Sequence, residues 1–155
     1  MTNGKRVAEE FIRLTTSKTL NQNKWLWLLD ENFKFRRRND NQDYDKGVVS
    51  HALGSVTVPF LNKKQFISSL KHRYGEKYSS KGFWKIQDFN SNIINHDNIS
   101  FEIDSVNNNI VVECTGSENH YVTQRIIYHA KVSNSCKILD LKAYYKPSTI
   151  IIEEI

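Results

Sequence analysis

The stretch His120 to Pro147, HYVTQRIIYHAKVSNSCKILDLKAYYKP, reads as two alternating arms joined by small polar residues. In the first arm Val122, Gln124, Ile126, Tyr128, Ala130 and Val132 share one parity, and Thr123, Arg125, Ile127, His129 and Lys131 the other. That is the period of a strand with one buried face. In the second arm, Lys137 to Tyr145, Leu139, Leu141, Ala143 and Tyr145 alternate with Ile138, Asp140, Lys142 and Tyr144. Ser133-Asn134-Ser135 supplies turn formers between them, so a long antiparallel hairpin is predicted. Gln124 and Tyr128 on the inward parity are residues that a plain core would not select, and they suggest that this face lines a pocket.

Size bounds the rest. A chain of 155 residues with 39% apolar content is long enough for one core and short for two, so residues 1–155 are read as a single domain. No window approaches the apolar run of a membrane helix, and MTNGKRVAEEF lacks a signal's apolar region, so a cytoplasmic protein without membrane contact is expected. Cys114 and Cys136 lie in different predicted strands with no metal-type spacing and are read as reduced, half-buried residues. The net charge of +5 favours anionic partners in general without bearing on fold.

Upstream, Lys5 to Ser17 places Val7, Ala8, Phe11, Ile12 and Leu14 at helical spacing, and the short apolar run Trp25 to Leu29 predicts a second helix with Trp25, Leu28 and Leu29 inward. Asp30-Glu31-Asn32 is expected to end it. Phe33 and Phe35 then alternate with Lys34 and Arg36 into a strand with a basic far end, and Ser55 to Val58, stopped by Pro59, suits an edge strand. Asn62 and Gln65 have capping-box spacing ahead of Phe66, Ile67 and Leu70, which predicts a third helix over Asn62 to Tyr74. Beyond Gly82 only strands are predicted: Phe83 to Ile94, Asn98 to Val106, and, after a turn at Asn107-Asn108-Asn109, Ile110 to Thr115. The Ile150-Ile151-Ile152 tail reads as one more. Helices grouped ahead of consecutive strands define an α+β domain with the helices on one face of a curved antiparallel sheet.

This order, with WLWLLDENFKF from Trp25 to Phe35, Asn62-Lys63-Lys64, Phe83-Trp84-Lys85, Val112-Glu113-Cys114 and the closing Tyr144-Tyr145-Lys146-Pro147, resembles the nuclear-transport-factor-2-like superfamily over roughly Lys5 to Pro147. It is most similar to the SnoaL-like polyketide-cyclase and ketosteroid-isomerase-like branch, and within that to the small phenazine-biosynthesis proteins. The resemblance implies a cone-shaped α+β barrel, an internal pocket between helices and sheet, and a homodimer formed through the outer face of the sheet. The catalytic set does not come with it. Ketosteroid isomerases use a tyrosine and a protonated aspartate as oxyanion donors and a second aspartate as base. Matched by position, these fall at Phe11, Tyr128 and Arg37, and the acidic residue of the phenazine-type proteins falls at Ala143. Phenylalanine donates no hydrogen bond and arginine accepts no proton, so Tyr128 alone retains capacity for the role.

Other constellations are sparse. His51, His72, His96, His120 and His129 show no ligand spacing, and neither a phosphate loop nor a nucleophile elbow is present. Glu113 reads either as a solvated residue or as a pocket carboxylate, and Gln124 and Tyr128 either as pocket groups or as hydrogen-bonded core. Trp25 and Trp27 read as core, with pocket wall as the second option. For the basic run Lys34 to Arg38 the plain reading is a solvated strand end. The sharper one puts Arg37, which shares parity with Phe33 and Phe35, at a pocket mouth facing a carboxylate or phosphate. Nucleic-acid binding is disfavoured because the aromatic residues occupy core parities rather than an exposed cationic face.

The resulting expectation is a protein that binds a small, largely hydrophobic ligand, with an anionic form favoured by Arg37. Phe11, Trp27, Arg37, Gln124, Tyr128 and Glu113 are the candidate pocket residues. Neither metal nor cofactor is expected. Two alternatives stand beside it: a protein-interaction module whose pocket is plugged by Phe11, Trp27 and Tyr128, and an isomerase or cyclase-like enzyme using Tyr128 and Glu113. A homodimer face is expected around Ile127, His129 and Lys131, because Ile127 is apolar on an otherwise polar side.

Overall fold

The computed structural model describes residues 2–17, 20–39, 47–51, 54–73, 84–112, 118–146 and 149–154. Glu113 and Cys114 lie outside them, as does the side chain of Gln124, whose backbone belongs to a strand.

Helix α1 (Asn3–Thr16) is opened by Thr2, whose hydroxyl accepts from the Lys5 amide at 3.2 Å, and buries Val7, Ala8, Phe11, Leu14 and Thr15. Helix α2 (Gln22–Leu28) is capped by the Asn21 side chain on the Lys24 amide, 3.1 Å. Trp25 and Leu28 turn inward with Leu29 beyond the helix end. Trp27 does not follow them. Two residues from Trp25 it lies about 200° around a 3.6-residue helix, and it is 75% exposed, beneath Lys137 Nζ at 5.0 Å from its ring centre. The core or pocket-wall role expected of Trp27 is therefore corrected.

Strand β1 (Leu29–Asn39) takes in Asp30-Glu31-Asn32, which was expected to end the helix. Its register on the neighbouring strand shifts between Leu29 and Lys34, so the polar stretch sits in an irregular start to the strand. A two-stranded ribbon, β2 (Gly47–His51) and β3 (Gly54–Val58), precedes the short β4 (Leu61–Asn62). Helix α3 (Lys63–Arg73) begins with the predicted capping box: the Gln65 amide donates to Asn62 Oδ1 at 2.9 Å and the Asn62 amide to Gln65 Oε1 at 3.0 Å.

The remaining strands are β5 (Trp84–His96), β6 (Ser100–Val112), β7 (Glu118–Val132), β8 (Ile138–Tyr145) and β9 (Thr149–Glu154). Asn107-Asn108-Asn109 forms no turn; β6 runs through it, absorbing one extra residue as a register shift against β7 between Ser105 and Asn108. The sheet order is β4-β1-β8-β7-β6-β5, with β9 paired to the first half of β7 and β8 to the second half. The sheet is curved, unclosed and mixed rather than wholly antiparallel, since β1 and β8 run parallel. The helices pack on one face, α1 across β5, β6 and β7 and α3 against β1.

On β7 the predicted parity holds wherever side chains are described: Ile126, Tyr128, Ala130 and Val132 are buried. On β8 it breaks at the first step. Ile138 is fully buried and Leu139 is 36% exposed, the reverse of the expectation. Val132 pairs with Ile138 but Lys131 pairs with Asp140, so Leu139 is an extra residue that flips the parity before Leu141 and Ala143 resume inward. The turn ahead of it is closed by the Ser133 amide on the Lys137 carbonyl, 2.7 Å, with Cys136 in the left-handed region at φ 59°.

The core is aromatic and has two centres. Phe11 meets Trp25, Phe101 and Tyr128, with centroids 5.8, 6.0 and 5.0 Å away. Phe66 meets Trp25, Phe33 and Phe35 at 5.8, 5.1 and 4.9 Å. Trp25 joins the two groups through edge contacts to Phe11 and Phe66, each adding about 0.5–1.5 kcal/mol beyond burial alone.

Candidate functional site: a small aromatic cavity

Between the helices and the hairpin lies a cavity of about 170 Å³. Phe11 and Thr15 of α1, Trp25 of α2 and Phe66, Ser69 and Leu70 of α3 form its helical wall. Phe35, Arg37, Leu61, Tyr128 and Tyr145 close it from the strand side. The wall follows from the patterns above: helix spacing aims Phe11 and Thr15 together, and strand alternation aims Phe35 and Arg37 together.

Its polar groups differ in what they offer. The Thr15 hydroxyl donates to the Ile12 carbonyl at 3.2 Å and the Ser69 hydroxyl to the Phe66 carbonyl at 2.6 Å, so both turn lone pairs outward. Tyr128 is 3% exposed and carries a phenol, and Trp25 is 1% exposed and carries an indole N–H. Among the described residues no carboxylate lines the cavity. Ala143, fully buried opposite Tyr128 on the adjacent strand, leaves room there and supplies no acid.

The basic run is divided by strand parity. Lys34, Arg36 and Arg38 lie on the outer face, and each has a partner. Lys34 Nζ sits 5.0 Å over the Phe60 ring, Arg36 pairs with Asp140 at 2.8 Å, and Arg38 lies 4.0 Å over Tyr144. Arg37 is on the cavity side, exposed at the mouth, with its guanidinium carbon 5.8 Å from the Tyr145 ring centre. Water reaches it, so its charge does not demand a buried counter-ion as an inward guanidinium would.

Of the six residues expected at the pocket, Phe11, Arg37 and Tyr128 line the cavity together. Trp27 stands outside it, Gln124 contributes a strand position only, and Glu113 is outside the described residues. In the sequence Trp25 reads as core, with pocket wall as the second option, and nothing singles out Phe66 and Tyr145 as pocket residues. Each carried a signal as a core position in its own periodic element, but periodicity does not tell wall from filler.

The fold is that of the nuclear-transport-factor-2-like α+β proteins. A computationally designed 17-OHP binder superposes with a TM-score of 0.54 at 12% identity, over 97% of this chain and 98% of its own. The Δ5-3-ketosteroid isomerase of Mycobacterium sp. superposes with a TM-score of 0.51 at 10% identity, over 97% and 100%. No protein-family model and no curated protein sequence matches the chain.

Proposed function

We propose that the protein binds a small, largely apolar ligand in the cavity, with any anionic end of the ligand directed to Arg37 at the mouth. The observation carrying this reading is an aromatic chamber of about 170 Å³ whose rim bears an exposed guanidinium. Ligand-binding neighbours of the same fold support it: one is a designed binder and one an isomerase of ketosteroids. The chamber is smaller than the roughly 300–1,000 Å³ of drug-sized sites, which favours a ligand smaller than a four-ring steroid. Binding is favoured over isomerase or cyclase chemistry because no described wall residue can take a proton from carbon at neutral pH. An enzyme built on Tyr128 and Glu113 would need Glu113 to reach the wall.

Within the fold, we further propose the SnoaL-like, phenazine-type branch, a reading that rests on the resemblance carried by Val112-Glu113-Cys114 and Tyr144-Tyr145-Lys146-Pro147, and a single-domain cytoplasmic protein. The test is a panel of small apolar acids and their neutral amides, read by melting shift on the wild type and on Arg37→Leu. At an exposed position the charge contributes about 0.2–1 kcal/mol. Arg37→Leu should therefore weaken acids by a factor of about 1.4 to 5 and leave amides unchanged. Equal loss for both would remove Arg37 from the site, and no shift with any compound would favour the plugged interaction module.

We also propose a homodimer through the outer sheet face. Arg38, Tyr144, Ile127 and Asp104 are consecutive cross-strand neighbours there, so half-buried Ile127 and Tyr144 form an apolar step between charges. Ile127→Lys should convert a dimer to monomer in sedimentation at micromolar concentration. A wild type that is already monomeric there would end the idea.

A further inference from the structure

Trp25, one of the described residues that line the cavity, carries a buried indole nitrogen with no hydrogen-bond partner in the protein. The residue is 1% exposed. An indole nitrogen donates and never accepts. Leaving such a donor unpaired costs about 1–3 kcal/mol, a cost that a fold built only for stability avoids by placing Phe or Leu there. The rings around it, Phe11 at 89° and Phe66 at 64°, supply no oxygen.

We infer that Trp25 Nε1–H is the anchoring donor of the site, and that the ligand is a one-ring compound carrying a carbonyl oxygen. This inference rests on the binding reading above and narrows its ligand class. The size follows from volume. A cavity of about 150 Å³ lined by Leu, Ile and Phe accepts benzene, and this one, at about 170 Å³ with aromatic walls, matches a single substituted ring. The oxygen follows from the donor, since an acceptor on the ligand is what would satisfy Trp25 in the bound state. The selectivity is of the kind in which a site built around a polar contact rejects the analogue lacking it far more strongly than an apolar pocket rejects a methylene.

The experiment uses the whole chain labelled with nitrogen-15 and three probes: acetophenone, ethylbenzene and 2-acetylnaphthalene. The three tryptophan indole signals are assigned by Trp27→Phe and Trp84→Phe. Acetophenone should bind about ten-fold more tightly than ethylbenzene, moving the Trp25 indole proton downfield while leaving the Trp27 signal in place. 2-Acetylnaphthalene should not bind. Equal binding of acetophenone and ethylbenzene with a still Trp25 signal would overturn the anchor while leaving the binding reading intact. So would a strongly upfield, unresponsive Trp25 signal, which marks an N–H resting on the face of Phe11 or Phe66. Tight binding of the two-ring probe would overturn the size assignment. If no probe moves any cavity signal or the melting temperature, the binding reading fails together with the inference. Trp25→Phe serves as a second arm. If it folds, it should bind ethylbenzene at least as well as the wild type does and lose the preference for acetophenone.

Discussion

Phe11 meets Tyr128 edge-on in the centre of the core, with ring centroids 5.0 Å apart and planes at 76°. One ring comes from the first helix and the other from the seventh strand, and both face the cavity, so this pair sets the cavity's size as well as the packing. Phe11→Ala should destabilise the protein by roughly 3–5 kcal/mol, read as a lower denaturant midpoint with an unchanged slope. It should also let a two-ring ligand enter. A loss below about 1 kcal/mol would mean that the surroundings collapse into the space, and the larger ligand should then be excluded.

The N-terminal turn of α1 is seated directly on the β5–β6 turn. The Gly4 amide donates to the Asp97 carbonyl at 2.9 Å, and a β-carbon at Gly4 would collide with the Asp97 and Ser100 carbonyl oxygens. Alanine in place of a helical glycine ordinarily gains up to about 1 kcal/mol. Here the overpacking cost of roughly 1–3 kcal/mol should win. Gly4→Ala is expected to lower the melting temperature, and a more stable variant would refute the close approach.

At the start of α3 the Asn62–Gln65 exchange satisfies two otherwise orphaned amides. Asn62 is exposed, so Asn62→Ala removes the cap without opening a cavity and should cost about 1 kcal/mol. Asn62→Ser, which keeps an acceptor, should recover most of it in the same unfolding assay.

Two carboxylates predict the acid limb of stability. The Arg125 guanidinium holds Asp104 below the ordinary aspartate range, through contacts of 2.9 and 2.7 Å. Asp97 is held down first by the Ile99 amide and then by the Ser100 hydroxyl. A lowered folded value means that the stabilisation is complete above the unfolded value, about 3.9, and is lost as pH falls through the folded one. Denaturant midpoints should thus be flat from pH 7 to about 5 and drop below about 4. Asp104→Asn should flatten part of that drop, and raised salt should shrink the Asp104 share because the pair is exposed. A variant with the same acid slope as the wild type would exclude the Arg125 contact as its source.

Much of this architecture is legible in local patterns because they report local energetics. Spacing at 3.6 identified Phe11, Leu14, Trp25 and Leu28 as buried, alternation did so for Ile126, Tyr128, Ala130 and Val132, and the Asn62-x-x-Gln65 spacing located the third helix start. Alternation also put Arg37 on the same side as Phe33 and Phe35, which is how it comes to stand at the cavity mouth. Where chain geometry departs from a perfect period, reading it forward fails. One extra residue at Leu139 reverses parity at the start of β8, and the asparagine triplet bulges within β6 because its neighbours supply strand partners that a turn would forgo.

The site itself required the assembled molecule. Helical spacing sets Trp25 with Leu28 and apart from Trp27, but it does not say which side of that short helix is walled. The difference is that α3 and β1 cover one side of that helix and solvent the other. Nor does any window of sequence state a volume. That arises where Phe11 and Thr15 of one helix, Phe66 and Ser69 of another and Tyr128 of a distant strand fail to fill the space they share, and long-range packing alone sets that remainder.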